Sequence, residues 1–159
     1  MSEGVHVRAS AAGSDDLVGR IETEVALLLR LSDRNRRRSR LMEGALERSA
    51  YLALRLLEQQ GPSTITRIAE ELRLDGSTVT RQVVAMEESG HVCRGKDPRD
   101  GRHQVISPTA EGLAALARTR EARSTVYGEV LADWSEPDRA ALADLLHRLN
   151  ADLDAHLDR

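Results

Sequence analysis

His91-Val92-Cys93-Arg94-Gly95-Lys96-Asp97-Pro98-Arg99-Asp100-Gly101-Arg102-His103-Gln104-Val105-Ile106-Ser107 is the stretch that decides the fold of this 159-residue chain. Apolar and polar residues alternate at both of its ends, which predicts two short strands at 91–96 and 103–107. The proline and glycine of 97–102 supply the connecting loop, so the stretch reads as a β-hairpin with an arginine-rich tip.

Immediately upstream the period becomes helical. Residues 64–72 carry Ile65, Ile68, Ala69 and Leu72 on one face, with Thr64 as N-cap. Residues 77–90 carry Val79, Val83 and Met86 at i, i+4 and i+7, with Asp75 as N-cap. Two short helices joined by a tight turn that contains Gly76 form a helix-turn-helix pattern. Before it, a helix with Tyr51, Leu52, Leu54, Leu56 and Leu57 stops at Gly61-Pro62. Further upstream, Leu17, Ile21, Val25, Leu28 and Leu31 predict a long amphipathic helix from Asp15 or Asp16 that runs into the arginine-rich stretch 34–40. Downstream of the hairpin, Thr109 caps a long helix through Val130. Ser135-Glu136-Pro137-Asp138 opens the last helix, whose stripe is Leu142, Leu145, Leu146, Leu149, Leu153 and Leu157.

Composition bounds the function. There is no Phe, one Trp and two Tyr, so aliphatic residues must fill the core. No apolar run approaches the roughly 20 residues of a membrane span, and no export signal opens the chain, so a soluble cytoplasmic protein is expected. The single cysteine, Cys93, forms no intramolecular disulfide and is read as a small buried strand residue in preference to a redox sensor. The five histidines lack metal-ligand spacing, and no metal or cofactor is expected. Without a phosphate-cradling glycine loop, a metal box or a nucleophile elbow, an enzyme is not expected. The net charge of −3 hides a division along the chain: residues 34–59 hold seven arginines against three glutamates, residues 60–103 are balanced, and both ends are acidic. Phosphate contact depends on where the cations sit, not on their sum.

A helix-turn-helix followed at once by an arginine-tipped hairpin is a winged helix, and here the sequence resembles the MarR family of bacterial transcriptional regulators. The resemblance rests on Gly61-Pro62-Ser63-Thr64 with Ile68-Ala69-Glu70-Glu71-Leu72, on Ser77-Thr78-Val79-Thr80-Arg81, and on the Glu-Glu-Ser-Gly-His-Val that ends at Val92. It continues in Asp97-Pro98-Arg99-Asp100-Gly101-Arg102 and Ser107-Pro108-Thr109-Ala110-Glu111-Gly112. The Asp-x-Arg-Asp-x-Arg wing is its most specific element. Pro108 departs from the apolar residue often found there, and the run 34–40 is denser in arginine than is usual.

The expected fold is mainly α with a small β-hairpin. It divides into a disordered tail at 1–14, an N-terminal dimerisation helix at 15–44, a winged helix-turn-helix at 45–108 and C-terminal dimerisation helices at 109–159. The outward residues at the start of the second reader helix are Ser77, Thr78, Arg81, Gln82 and Ala85. Hydroxyls and helix N-terminal amides suit phosphate oxygens, Arg81 suits guanine, and Gln82 suits adenine. Arg99 and Arg102 on the hairpin can reach the adjacent minor groove, where the resemblance places the wing arginine at Arg99. Thr64, Thr80, Arg94 and Lys96 complete the expected DNA-binding set, and Asp97 or Asp100 is expected to pair with Arg102. The run 34–40 admits two readings, a solvated helix face or a phosphate-contacting flank.

Leu17, Ile21, Leu142, Leu145, Leu149 and Leu153 lie on stripes that one small winged helix cannot cover. They are therefore expected to pair two copies, placing two reader helices on a pseudo-palindromic site of double-stranded DNA. The expected function is a dimeric, sequence-specific regulator acting as a repressor; the alternative is a winged-helix protein-interaction module. The resemblance further implies a small aromatic effector bound near residues 30–40 and the second helix.

Overall fold

The computed structural model describes residues 9–38, 42–97 and 100–157, and the chain divides into two units, Met1–Glu43 and Gly44–Arg159. The first unit is one helix, α1 (Ala9–Arg38), 30 residues long and therefore about 45 Å in length. It opens six residues ahead of the expected start at Asp15, so residues 9–14 of the expected tail are helical. Ala9, Ala11 and Ala12 have the highest intrinsic helix propensity, which offsets the penalty of Gly13. Residues 1–8 of that tail lie outside the described residues. Along α1, Leu17, Val18, Ile21, Leu28 and Leu31 are exposed. The arginine run stays helical through Arg38, with Arg34 exposed and Arg36 half-buried, and residues 39–41 lie outside the description.

The second unit contains α2 (Arg48–Gln60), α3 (Ile65–Leu72), α4 (Gly76–Glu88), β1 (Val92–Lys96), β2 (Gln104–Pro108), α5 (Ala110–Val130) and α6 (Glu136–Leu157). Its core is one cluster in which Leu54 and Leu57 of α2, Ile68 of α3, Val79 and Val83 of α4, Ile106 of β2 and Leu116 of α5 are almost wholly buried. Aliphatic residues fill it, as the near absence of aromatics requires. α2 lies at the centre and packs against α3, α4, β2 and α5. Its stop at Gly61 uses a left-handed backbone, φ 80°, that glycine adopts without strain.

β1 and β2 pair antiparallel in the register Val92↔Pro108 to Lys96↔Gln104. A third, one-residue strand was not legible in the sequence: Ser63 exchanges both backbone hydrogen bonds with Ile106, at 3.1 and 2.8 Å, and so ties the hairpin to the segment entering α3. Strand alternation turns Val92 inward and its neighbour outward. Cys93 is therefore exposed, against the expectation of a buried residue.

Thr109 explains the short motif that follows the wing. Its N–H donates to the His91 carbonyl (3.0 Å), its hydroxyl donates to the Gly90 carbonyl (2.6 Å), and the same hydroxyl oxygen accepts from the Gly112 N–H (3.0 Å). The first turn of α5 is thereby pressed onto the end of the reader helix. A Cβ built on Gly112 would stand 2.0 Å from the His91 carbonyl oxygen, so only glycine fits. Two turns further on, the buried Thr119 hydroxyl accepts from the Leu46 N–H (3.0 Å) and donates to the Ala115 carbonyl (2.8 Å).

α6 differs from the other helices of this unit. Ser135 caps it, accepting from the Asp138 N–H at 3.2 Å, yet none of its described residues is buried: Leu142 and Leu149 are half-buried, and Leu145 and Leu153 are exposed. Among the described residues no helix is long and apolar enough to cross a membrane.

Candidate nucleic-acid interface

The site is built on α3, the turn after it, and α4. Thr64 caps α3 by accepting from the Arg67 N–H (3.2 Å). This makes Thr64 a structural cap whose hydroxyl oxygen already serves the helix. The turn does not use glycine as its left-handed residue. Arg73 takes that conformation, φ 54°, while Gly76 is the first residue of α4. A side chain in this region costs roughly 1–2 kcal/mol, offset here by backbone bonds from Arg73 N to Glu70 O (3.3 Å) and Leu74 N to Ala69 O (2.9 Å). The Arg73 Nε also donates to Asp154 of α6 at 3.1 Å.

α4 buries Val79, Val83 and Met86 and turns the opposite face to solvent. That face is Ser77, Thr80, Arg81 and Val84, all exposed and spaced at i, i+3, i+4 and i+7. Thr78 and Gln82 sit on its flank, half-buried. Val84 was missed by the sequence reading, although its place one helical turn beyond Thr80 and Arg81 is the signal that finds it. Gln82 is less available than expected: its Oε1 is shielded from solvent and has no hydrogen-bond partner. One amide atom is turned inward, so a bidentate pair with adenine requires the side chain to rotate.

At the start of α4, where phosphate contacts are expected, Asp75 gathers the polar hydrogens of Ser77 and Thr78. Its Oδ1 accepts from the Thr78 N–H (2.8 Å) and the Ser77 hydroxyl (2.5 Å), and its Oδ2 accepts from the Thr78 hydroxyl (2.5 Å). The Ser77 hydroxyl, then Thr78, hold the Asp75 carboxyl far below the usual carboxylate range, so it is ionised. A helix N-terminus already facing its own carboxylate is a poor seat for a second anion. Thr80 directs its hydroxyl proton to the Gly76 carbonyl (2.7 Å), and the Arg81 guanidinium lies 3.4 Å from the Thr78 hydroxyl oxygen.

On the hairpin, Asp100 organises the tip. It receives the Arg102 guanidinium through two bonds of 2.9 Å and the Arg102 backbone N–H at 3.2 Å, while Arg102 remains largely exposed. The Arg102 hydrogen bonds hold the Asp100 carboxyl below its ordinary value. This is the pairing expected of one of the two loop aspartates. Arg94 is not a free cation: its Nε donates to Glu87 of α4 at 2.8 Å in a half-buried ion pair. Lys96 is exposed. Arg99, expected to be the principal wing contact, lies with Pro98 outside the described residues. The described residues contain no group of three His, Cys, Asp or Glu side chains able to hold a metal.

The sequence and the fold are similar to those of known proteins. The MarR family profile matches residues 46–104. YxaD, an uncharacterized HTH-type transcriptional regulator of Bacillus subtilis, is 37% identical over 107 residues, which cover 67% of this chain and 75% of that one. A MarR family protein from Bacillus stearothermophilus superposes with a TM-score of 0.64 at 24% identity, over 86% of this chain and 97% of that chain. The PcaV transcriptional regulator of Streptomyces coelicolor, solved in complex with its natural ligand, superposes with a TM-score of 0.57 at 22% identity, over 94% and 98% of the two chains.

Proposed function

The chain belongs to the MarR family of transcriptional regulators, and from that premise we propose that it is a cytoplasmic homodimer that represses transcription by reading a pseudo-palindromic operator. In this reading α4 enters the major groove and the wing at 97–102 reaches the adjacent minor groove. The observation that carries it is the division of α4 into a face buried to within a few per cent and an opposite face of Ser77, Thr80, Arg81 and Val84 open to solvent. Arg81 has the reach and fork to pair with guanine, and Val84 is placed to meet a thymine methyl. Arg99 and Arg102 supply the wing contacts.

The dimer is supported by the exposed Leu17 and Ile21 of α1 and by Leu145 and Leu153 of α6. Two copies related by a two-fold axis would set their reader helices about 34 Å apart, one turn of DNA. PcaV was solved with a natural ligand; a small aromatic effector acting on this chain is the corresponding proposal.

Titration of a fluorescent duplex pool at several salt concentrations tests the reading. Affinity should fall steeply with salt and drop in Arg81→Ala and Arg99→Ala, whereas no duplex binding at low salt overturns it. One observation favours a protein-interaction module instead: Arg94 and Arg102 are each neutralised by a carboxylate, which lowers the cationic character of the surface. The same titration separates the two.

A further inference from the structure

The exposed strip of α4 carries a polarity that its residue types alone do not reveal. A hydroxyl has one proton, and in general Ser and Thr can serve either as donor or as acceptor to a base edge. Here the protons of all three hydroxyls are committed inside the protein. Ser77 and Thr78 donate to Asp75, and Thr80 donates to the Gly76 carbonyl one turn back. The Thr80 bond is independent of Asp75, yet it has the same result. Toward solvent, Ser77 and Thr80 offer only lone pairs. Arg81, next to Thr80 on the strip, offers only donors.

We propose that Ser77 and Thr80 read the exocyclic amino group of cytosine or adenine in the major groove, and that Asp75 is the positioning residue that fixes Ser77 in this acceptor role. The inference rests on the reading in which α4 enters the major groove. Of the groups exposed there, only cytosine N4 and adenine N6 donate. Phosphate oxygens and guanine O6 and N7 present lone pairs and are repelled by an acceptor-only hydroxyl, the more so beside the ionised Asp75. Guanine is left to Arg81. The strip therefore divides the labour by hydrogen-bond polarity: hydroxyls take amino-bearing bases and the guanidinium takes guanine. Freed from Asp75, the Ser77 hydroxyl can rotate and donate, and the discrimination at its position weakens.

The test uses the full-length protein and a duplex selected from a random pool by the wild type. The selected sequence should carry cytosine or adenine at the position under Ser77. Replacing cytosine there by pyrimidin-2-one, or adenine by 2-aminopurine, removes the major-groove amino group and should weaken binding about tenfold. Ser77→Ala should be indifferent to that replacement. Asp75→Gly keeps a residue that serves nearly as well at an N-cap, with helicity checked by circular dichroism. In this variant the preference for the amino-bearing base should fall from about tenfold to about twofold. The measured quantity is a ratio of affinities, so a uniform gain from losing a negative charge near phosphate cancels. Sequence-specific binding by the wild type with no loss on removal of the amino group overturns the inference and leaves the DNA-reading function standing. A full preference retained in Asp75→Gly overturns the role of Asp75. Failure of the wild type to select any duplex overturns the DNA-reading function and this inference with it.

Discussion

The winged-helix region and the terminal helices bury their leucines very differently. Leu54 and Leu116 are 0% exposed, whereas Leu17 of α1 is 56% exposed and Leu145 of α6 is 64% exposed. Both regions are helical and aliphatic, so propensity does not separate them. Isolated helices gain little stability in water from propensity alone, and an apolar stripe stabilises a helix mainly when something covers it. The winged helix covers its own stripes through α2. α6 has no buried residue among those described, and α1 shows an exposed stripe; the proposed second copy supplies that cover. The contrast teaches that substitutions in one region should act on folding at any protein concentration, and those in the other should act through assembly.

The sharpest way to break the contrast is Leu145→Asp with Leu149→Asp. Light scattering should show a monomer, the melting midpoint should lose its dependence on protein concentration, and operator affinity should fall about 100-fold because the two readers are no longer linked. A double variant that remains dimeric with full affinity removes α6 from the interface. Gly112→Ala probes the other side. Placing a Cβ 2.0 Å from the His91 carbonyl oxygen forces α5 off the end of the reader helix, a loss of about 3 kcal/mol or more. Denaturant titration should return the same loss at every protein concentration. Thr119→Val, also in the self-sufficient region, keeps volume but strands the buried Leu46 N–H. It should lose about 1–3 kcal/mol, and Thr119→Ser should restore most of it.

The winged helix was legible because its signals are local. Thr64, Asp75, Thr109 and Ser135 all cap the helices expected of them, and Val79, Val83 and Met86 are the buried face of α4. What escaped was set by contacts distant in sequence or by side-chain direction. The Ser63–Ile106 bridge and the Thr119–Leu46 bond join segments more than 40 residues apart. Arg73 in the turn is held by bonds that override its intrinsic cost, so no glycine marked it. At the site, the sequence marked Ser77 as outward and Thr80 as a member of the DNA-binding set, but their donor or acceptor role depends on Asp75 and Gly76. Cys93 was misplaced because a strand residue's burial depends on which face the pleat presents, and one residue of register reverses it.

The smallest expected effect sharpens the comparison within the winged helix itself, between its buried core and its exposed wing. Asp100 is ionised at lower pH than an ordinary aspartate because the Arg102 guanidinium and backbone N–H favour its charged form. Its folded-state pKa is depressed, so any stability it contributes is present above the unfolded value of about 3.9 and is lost as pH falls through the folded value. Asp100 is half-buried but its partner Arg102 is largely exposed, so solvent screens the pair and its global contribution should be too small to move the melting midpoint measurably. Carbon-detected NMR titration of the Asp100 carboxyl should place its midpoint below that of an ordinary aspartate, and Arg102→Ala should raise it. Asp100→Asn should leave the melt unchanged while broadening the Arg102 side-chain resonances, since the clamp that aims the guanidinium is gone. An unchanged Asp100 midpoint in Arg102→Ala would show that the wing tip is ordered by something other than this pair.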